Sequence, residues 1–532
     1  MHARQIFYAI SSALIVTTLL LSLLWPPVLW AFVVIGPLMA IGIHDIVQVR
    51  RAILRNFPVI GHGRYLLEMV RPEIQQYFVE SNIDGRPFER ARRSVVYQRA
   101  KSERDTTPFG TQLDVYQIGY EWMNHSLAPA KAPETPPRIR IGGPDCTQPY
   151  DASTLNISAM SFGSLSRNAV MALNKGAKKG GFFHNTGEGS VSPYHLEHGG
   201  DLCWQIGTGY FGCRAADGGF DAALFKEVTS APSIKMIEIK LSQGAKPGHG
   251  GILPAAKITP EIARIRGVPM GFDVISPPSH RAFSTPIGLC EFIGELRELS
   301  GGKPVGFKLC LGKRREFIAI CKAILQTGIK PDFIQVDGGE GGTGAAPLEF
   351  TDRLGAPLAE SLVFVHNALI GFNLRDDIKI IASGKVATGF DMAKRIAIGA
   401  DLCVAARSFM FSVGCIQALR CNANDCPTGV ATQEPELVRG LDVEDKGQRA
   451  YSYQHHTVHS FMELIAASGL THPDDLRPWH IHRRINQFDV KHYGEIYEYL
   501  QAGDLLADEL PKTFHRAVRA AQADNWTAAK WR

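Results

Sequence analysis

The sequence predicts an α/β chain whose main body is a (β/α)8 TIM barrel, preceded by a transmembrane helical hairpin. Three features of the 532 residues lead there. The stretch from Ile6 to Ile46 carries one charged side chain, Asp45, at its far end. From Leu155 onward, short apolar runs ending in Gly, Ser or Asn alternate with amphipathic segments, the texture of parallel strands joined by helices. Polar and Gly-rich residues gather at the ends of those runs, where barrels carry their sites.

Composition removes other classes. With 45% hydrophobic and 20% charged residues the chain buries enough surface to offset its entropy, so disorder is excluded for most of it. Ten Cys are too sparse for a disulfide scaffold, and a net charge of +5 gives no case for nucleic acid.

Taken in order, residues 1–50 read as a membrane anchor. Trp25-Pro26-Pro27 divides the apolar run into 6–24 and 28–46, each roughly 28 Å long as a helix and so able to cross a bilayer core. The prolines force a turn, and Trp25 and Trp30 sit where interfacial aromatics belong. Arg4 precedes the first half; Arg50, Arg51 and Arg55 follow the second. Positive charge at both ends places both in the cytoplasm, with the rest of the chain. There thiols stay reduced, and clustered Cys reads as metal chemistry.

Residues 51–150 form an Arg- and Pro-rich connecting region with helical spacing over 65–81. Residues 151–433 hold the barrel, with strands expected at 156–161, 234–240, 272–275, 304–309, 333–336, 378–382 and 402–405. A doubly wound sheet is the alternative, but no G-x-G-x-x-G opens a helix after the first strand. Residues 434–532 read as a mostly helical extension, its His455, His456 and His459 lying on the surface.

Four constellations carry chemistry. Cys415-x5-Cys421-x4-Cys426-Pro427 brings three thiols into twelve residues. Zinc ordinarily takes four ligands in C-x2-C pairs, so three thiolates without a nearby His suit a 3Fe-4S cluster. Three buried free thiols are the bland alternative. The run Ile378–Lys385, followed by Thr388–Lys394 and Ile398–Arg407, reads as strand, Gly turn, helix, strand and small-residue turn. That order holds a phosphate at barrel mouths, most commonly that of FMN, with Gly384 admitting close approach and Lys385 or Arg407 adding charge. Asp337–Gly344 has five glycines in eight residues, including Gly338 and Gly339, suiting a flat ligand. Lys308 ends its strand, so it would face the mouth and stabilise a reduced flavin. Lys240–Gly251 is a Gly-rich loop carrying Gln243, Lys246 and His249, and its two lysines and Gln suit a dicarboxylate or keto acid.

Together these segments resemble the FMN-binding synthase domain of glutamate synthase. The resemblance rests on Ile157–Gly163, Asn185–Gly189, Gln243–Gly248, Ile275–Pro278, Gly341–Gly344 and Cys426–Gln433, which occur in order over about 280 residues. It implies a barrel of the FMN-linked oxidoreductase type and two cofactors, FMN and a 3Fe-4S cluster. It implies reductive amination of 2-oxoglutarate, with hydride from reduced FMN reaching 2-iminoglutarate to give glutamate. By the same resemblance Cys415, Cys421 and Cys426 hold the cluster. FMN would lie against Ala159, Met160, Ser161, Asn185, Thr186, Lys308, Gly338, Gly339, Ser383, Gly384, Lys385, Ala406 and Arg407. The catalytic set would be Lys308, Gln243 and Lys246, the last two holding the keto acid.

Departures from the family matter as well. The chain starts Met1-His2 and enters an apolar hairpin, where a full large subunit starts with a glutaminase whose nucleophile is an N-terminal Cys. Only 99 residues follow Gln433, too few for the family's C-terminal β-helix. The expectation is therefore a synthase without its own glutaminase, fed by free ammonia, a partner's ammonia or an alkylamine. Its electron donor would be ferredoxin, a flavoprotein or a quinone pool, and a homo-oligomer is compatible with the sequence. Two alternatives stay open: an FMN oxidoreductase for another amine and keto acid pair, resembling N-methylglutamate synthase or running as a dehydrogenase, and a non-catalytic electron-transfer or scaffold subunit.

Overall fold

A computed structural model describes residues 3–103, 106 and 108–529, arranged as two compact units, Met1–Arg90 and Ala91–Arg532.

The first unit is helical. Ala3–Ser22 is one helix; a 3-10 turn at Pro26–Ala31 leads into a second, Phe32–Val47. Pro26 and Pro27 fall in the first turn, where a missing N–H costs nothing. Both helical segments are long and apolar enough to cross a membrane. Their side chains face outward: Leu24 is 86% and Trp30 77% exposed. At the other end of the hairpin Arg4 reaches the carbonyl of Arg55 and the side chain of Asn56, so the two ends lie on one side. Asp45 is fully buried, yet its carboxylate is satisfied. It accepts the Val59 N–H at 2.9 Å and faces His62 Nε2 at 2.9 Å. A helix at Gly61–Ile74 follows and runs into a π turn at Gln75–Val79.

In the second unit, eight parallel strands close into a barrel in sequence order. They are β1 (Leu155–Ile157), β2 (His184–Asn185), β3 (Leu202–Ile206), β4 (Ile234–Lys240), β5 (Val305–Leu309), β6 (Phe333–Asp337), β7 (Lys379–Ser383) and β8 (Leu402–Ala405). Strands buried on both faces read as continuous apolar runs, which is why most were visible in the sequence. Two expectations need correction. Residues 272–275 are not a barrel strand: Val274–Ile275 pairs antiparallel with Ile252–Leu253 in a side ribbon, with Ile275 60% exposed. The missing strands are β2, too short to show any periodicity, and β3.

The connecting helices are locally specified. Ser166 caps Arg167–Gly180 by accepting the Ala169 N–H, and Thr388 and Asp391 form a capping box on Gly389–Ala397. The 25-residue helix Val443–Ala467 packs along Arg167–Gly180 and buries Tyr453, whose hydroxyl donates to the Ala387 carbonyl. His455 and His459 on its other face are exposed. The N-terminal end of the barrel is stoppered by a two-stranded ribbon, Ile139–Ile141 with Tyr150–Ala152, packed on Phe333, Ile381 and Leu402.

Candidate active site

Strand register builds the site. Lys308 on β5 stands opposite Lys240 on β4 and opposite Gln335 on β6, so the three form one inward-facing polar layer. Two residues earlier on β4, Glu238 accepts hydrogen bonds from Asn185 (3.0 Å) and Gln205. Burial pushes the Glu238 carboxyl up, and its Oε1 has no partner among the described residues. Asp337 closes β6 and gathers three groups: Ser383 Oγ at 2.9 Å, the Gly244 N–H at 2.9 Å and Lys308 Nζ at 3.3 Å. Burial works against the Lys308 ammonium, but Asp337 and Glu238 outweigh it and hold its pKa above the usual lysine value.

Above this layer sits an excess of positive charge. Lys240 pairs with Glu188 at 2.6 Å, and the same carboxylate lies within electrostatic reach of Lys246 and Arg266. Burial disfavours the Glu188 carboxylate, but these three cations outweigh it and hold its pKa below the usual value. Lys246 is buried and donates to the Ala345 carbonyl at 2.6 Å. Burial, with Lys240 nearby, lowers it to about 8. Arg266 donates to the Phe162 carbonyl at 2.9 Å and lies over the Phe211 ring; burial lowers it to about 10. Glu188, Thr208, Lys240, Gln243 and Lys246 line a narrow recess of about 10 Å3. Beneath it His280 is kept neutral at pH 7, lowered to about 4 by burial. Its Nε2 lies 3.0 Å from the Lys240 carbonyl, so that nitrogen carries the proton.

The loop 241–251 is pinned to the loop after β6. A Cβ on Gly244 would lie 1.8 Å from the Gly338 carbonyl oxygen, so no other residue fits. Some of the glycines expected to admit a flat ligand therefore serve backbone packing. Gly384, just beyond β7, has φ +148°, a conformation only glycine adopts readily. Arg407, just beyond β8, donates to the Glu340 carbonyl, and burial lowers it to about 10.

The cysteine loop follows β8. Cys415 and Cys421 are half-buried, Cys426 is buried, and all three are free thiols. Burial, then the neighbouring Cys421 and Cys426, push Cys415 up to about 12. Three non-glycine residues of this loop, Gln417, Leu419 and Asn424, hold left-handed backbone, a concentration of strain that marks functional loops. Among the described residues no set of three His, Cys, Asp or Glu side chains is gathered tightly enough for one metal ion. A multi-iron cluster takes each sulfur on a different iron and so needs a wider triangle than a single ion at about 2.3 Å from each sulfur.

Residues 146–471 match the family model described as the conserved region in glutamate synthase. The chain belongs to the glutamate synthase family. A glutamate synthase large subunit-like protein, YerD of Bacillus subtilis (strain 168), is 37% identical over 482 residues, covering 83% of this chain and 91% of its own. An archaeal glutamate synthase (NADPH) of Methanocaldococcus jannaschii is 35% identical over 322 residues, 60% of either chain. This chain thus spans about three-fifths of that relative's length. Among solved structures, a flavocytochrome b2 mutant with pyruvate bound aligns over 86% of this chain at 12% identity and a TM-score of 0.42.

The cofactor, substrate and cluster candidates taken from the sequence lie at or beyond a strand's C-terminal end, or in the cysteine loop. Ala159, Met160 and Ser161 follow β1; Asn185 and Thr186 end β2; Gln243 and Lys246 follow β4; Ser383, Gly384 and Lys385 end β7; Ala406 and Arg407 end β8. Sequence reasoning gave no role to Glu188, Arg266, Glu238, Gln335 or Asp337. Glu188 and Asp337 lay inside motifs already noted. Arg266 closes the separate helix Pro260–Arg266, and nothing near it in sequence signals that it turns to the mouth.

Proposed function

We propose that this chain is an FMN- and iron–sulfur-dependent oxidoreductase of the glutamate synthase type. With ammonia it would aminate 2-oxoglutarate reductively to glutamate through 2-iminoglutarate; with an alkylamine the imine and the product would keep the alkyl group, giving an N-alkylglutamate. The observation that carries this is the cation excess at the mouth. Three buried cations, Lys240, Lys246 and Arg266, face one carboxylate, Glu188. Buried charge is costly unless balanced; a ligand with two carboxylates supplies negative charge to these cations. The relatives' names, both glutamate synthases or like them, support the same substrate class.

The pocket chemistry suits a flavin. Both amide atoms of Gln335 are buried without a partner among the described residues, offering a donor and an acceptor to the edge of a flat heterocycle. Lys308 beside it carries the charge that would sit against that ring. Gly384, Lys385, Ala406 and Arg407 would cradle the phosphate on the turns after β7 and β8. The strained loop with its three thiols suits the cluster. Bound FMN supplies hydride, and a 3Fe-4S cluster supplies electrons singly.

The chain's own groups do the rest. Asp337 fixes Lys308; Gln243 and Lys246 hold the keto acid's carboxylates; neutral His280 anchors the Lys240 backbone and so aims its ammonium at Glu188. The loop 241–251, locked on Gly338, excludes water from the recess. Residues 1–50 would anchor the protein in the cytoplasmic membrane as a two-helix hairpin, with residues 151–433 as the synthase barrel and 434–532 as its helical extension. The outward apolar faces and the Arg4 bonds to Arg55 and Asn56 support that hairpin. The electron donor would be ferredoxin, a flavoprotein or a quinone-linked carrier.

The test is anaerobic. The full chain in mild detergent is reduced and mixed with 2-oxoglutarate plus ammonium, plus methylamine, or alone. Flavin absorption that reoxidises only with keto acid and one amine is expected, and the productive amine names the nitrogen source. A reduced flavin that no pair reoxidises contradicts the substrate assignment.

A further inference from the structure

Lys257 ends a short 3-10 turn, Ala255–Lys257, and is 2% exposed. Its ammonium donates to three carbonyls: Ser164 at 2.7 Å, Ala431 at 2.9 Å and Cys421 at 3.0 Å. Those three bonds use all its donors. They tie the loop after β1 to the middle of the cysteine loop and to the segment just after it, and the Asn424 amide adds a fourth tie by donating to the Ala256 carbonyl at 3.0 Å. Hydrogen bonding is complete, but charge is not. Among the described residues no carboxylate acts on Lys257; the charged groups within reach are Cys421 and Cys426, which favour its ammonium, and Arg266, which opposes it. A neutral amide could staple two of the three carbonyls with no cost for burying a charge. A lysine here is explained when the nearby sulfurs are anionic, as metal-bound thiolates are.

We infer that Lys257 is the buried counter-charge of the Cys421 and Cys426 thiolates and a positioning residue that sets the reduction potential of the cluster they hold. This rests on the iron–sulfur assignment made above. A fixed cation beside a redox centre favours the form with one more electron, so it raises the potential. Removing the charge should lower it.

The experiment uses the full-length protein, purified anaerobically in mild detergent, as wild type and as Lys257→Arg, Lys257→Gln and Lys257→Met. Iron and sulfide content are measured, and the cluster is followed by EPR during a redox titration. Lys257→Arg should keep the wild-type midpoint. Lys257→Gln, which keeps two of the three donors, and Lys257→Met should both shift the balance towards the oxidised form by tenfold or more, a drop of at least about 59 mV for one electron. If the neutral variants lose the cluster while Lys257→Arg keeps it, the requirement for charge stands. A Lys257→Gln protein with full cluster and wild-type potential overturns the inference, because stapling alone would then explain the residue. So does loss of the cluster in Lys257→Arg as well as in the neutral variants, which would make the position steric. Folded wild-type protein with no cluster signal sinks the iron–sulfur assignment itself, before any variant is compared.

Discussion

The two ends of the barrel treat buried charge in opposite ways. At the N-terminal end, under the ribbon 139–152, Asp332 is 1% exposed and fully accounted for. It accepts from Arg297 Nε and Nη2 at 3.2 and 3.0 Å, from the Val305 N–H at 2.8 Å and from the Gly143 N–H at 2.7 Å. At the C-terminal end Glu188 faces three cations, while Glu238 Oε1 and the whole Gln335 amide lack partners among the described residues. The first arrangement is closed and needs nothing further. The second is balanced only when something anionic and polar arrives. Equal burial with unequal satisfaction is thus a way to tell structural charge from ligand-binding charge within one fold.

That contrast can be broken from either end. The largest effect is expected from Asp332→Asn, which leaves Arg297 buried without its counter-ion. Chemical denaturation should show a loss of about 4 kcal/mol, with keto-acid affinity unchanged in the folded fraction. Ile141→Ala should cost about 3 kcal/mol by opening a cavity where the ribbon seals the floor, again with affinity unchanged. At the mouth the pattern should invert. Lys246→Met should lower kcat/KM by roughly thirtyfold, about 2 kcal/mol for a lost charged hydrogen bond, and leave the melting temperature unchanged, since it removes like-charge repulsion with Lys240.

Acidity sharpens the same point. Lys246 is lowered to about 8, so its ammonium is present below that pH and lost above it. The keto acid's carboxylates are ionised throughout, so KM should rise about tenfold between pH 7 and pH 9, and that slope should vanish in Lys246→Met. The smallest effect is expected from His455→Ala on the exposed face of the long helix: less than about 0.5 kcal/mol in stability and nothing in turnover.

Much of this was legible before any coordinates. Strands such as Val305–Leu309 and Phe333–Asp337 are buried on both sides and therefore announce themselves as apolar runs with polar ends. The cysteine triad and the turns after β7 and β8 stand out by their local spacing. What escaped had physical reasons. His184–Asn185 is a strand of two residues, below any periodicity, and 272–275 is apolar by composition but half-exposed in a side ribbon. Arg266 and Asp337 acquire their roles through neighbours distant in sequence, and Lys257 stands in no motif; only the fold buries it against three carbonyls.

The most direct test of the cation excess is calorimetric binding of 2-oxoglutarate and of a monocarboxylic keto acid, pyruvate, to the oxidised full-length protein at pH 7. If Lys240, Lys246 and Arg266 exist to balance two carboxylates, 2-oxoglutarate binds at least tenfold more tightly than pyruvate, and Lys246→Met narrows that gap while Asp332→Asn preserves it. Equal affinity for the two acids, unaffected by Lys246→Met, would contradict the assignment of the mouth as a dicarboxylate site.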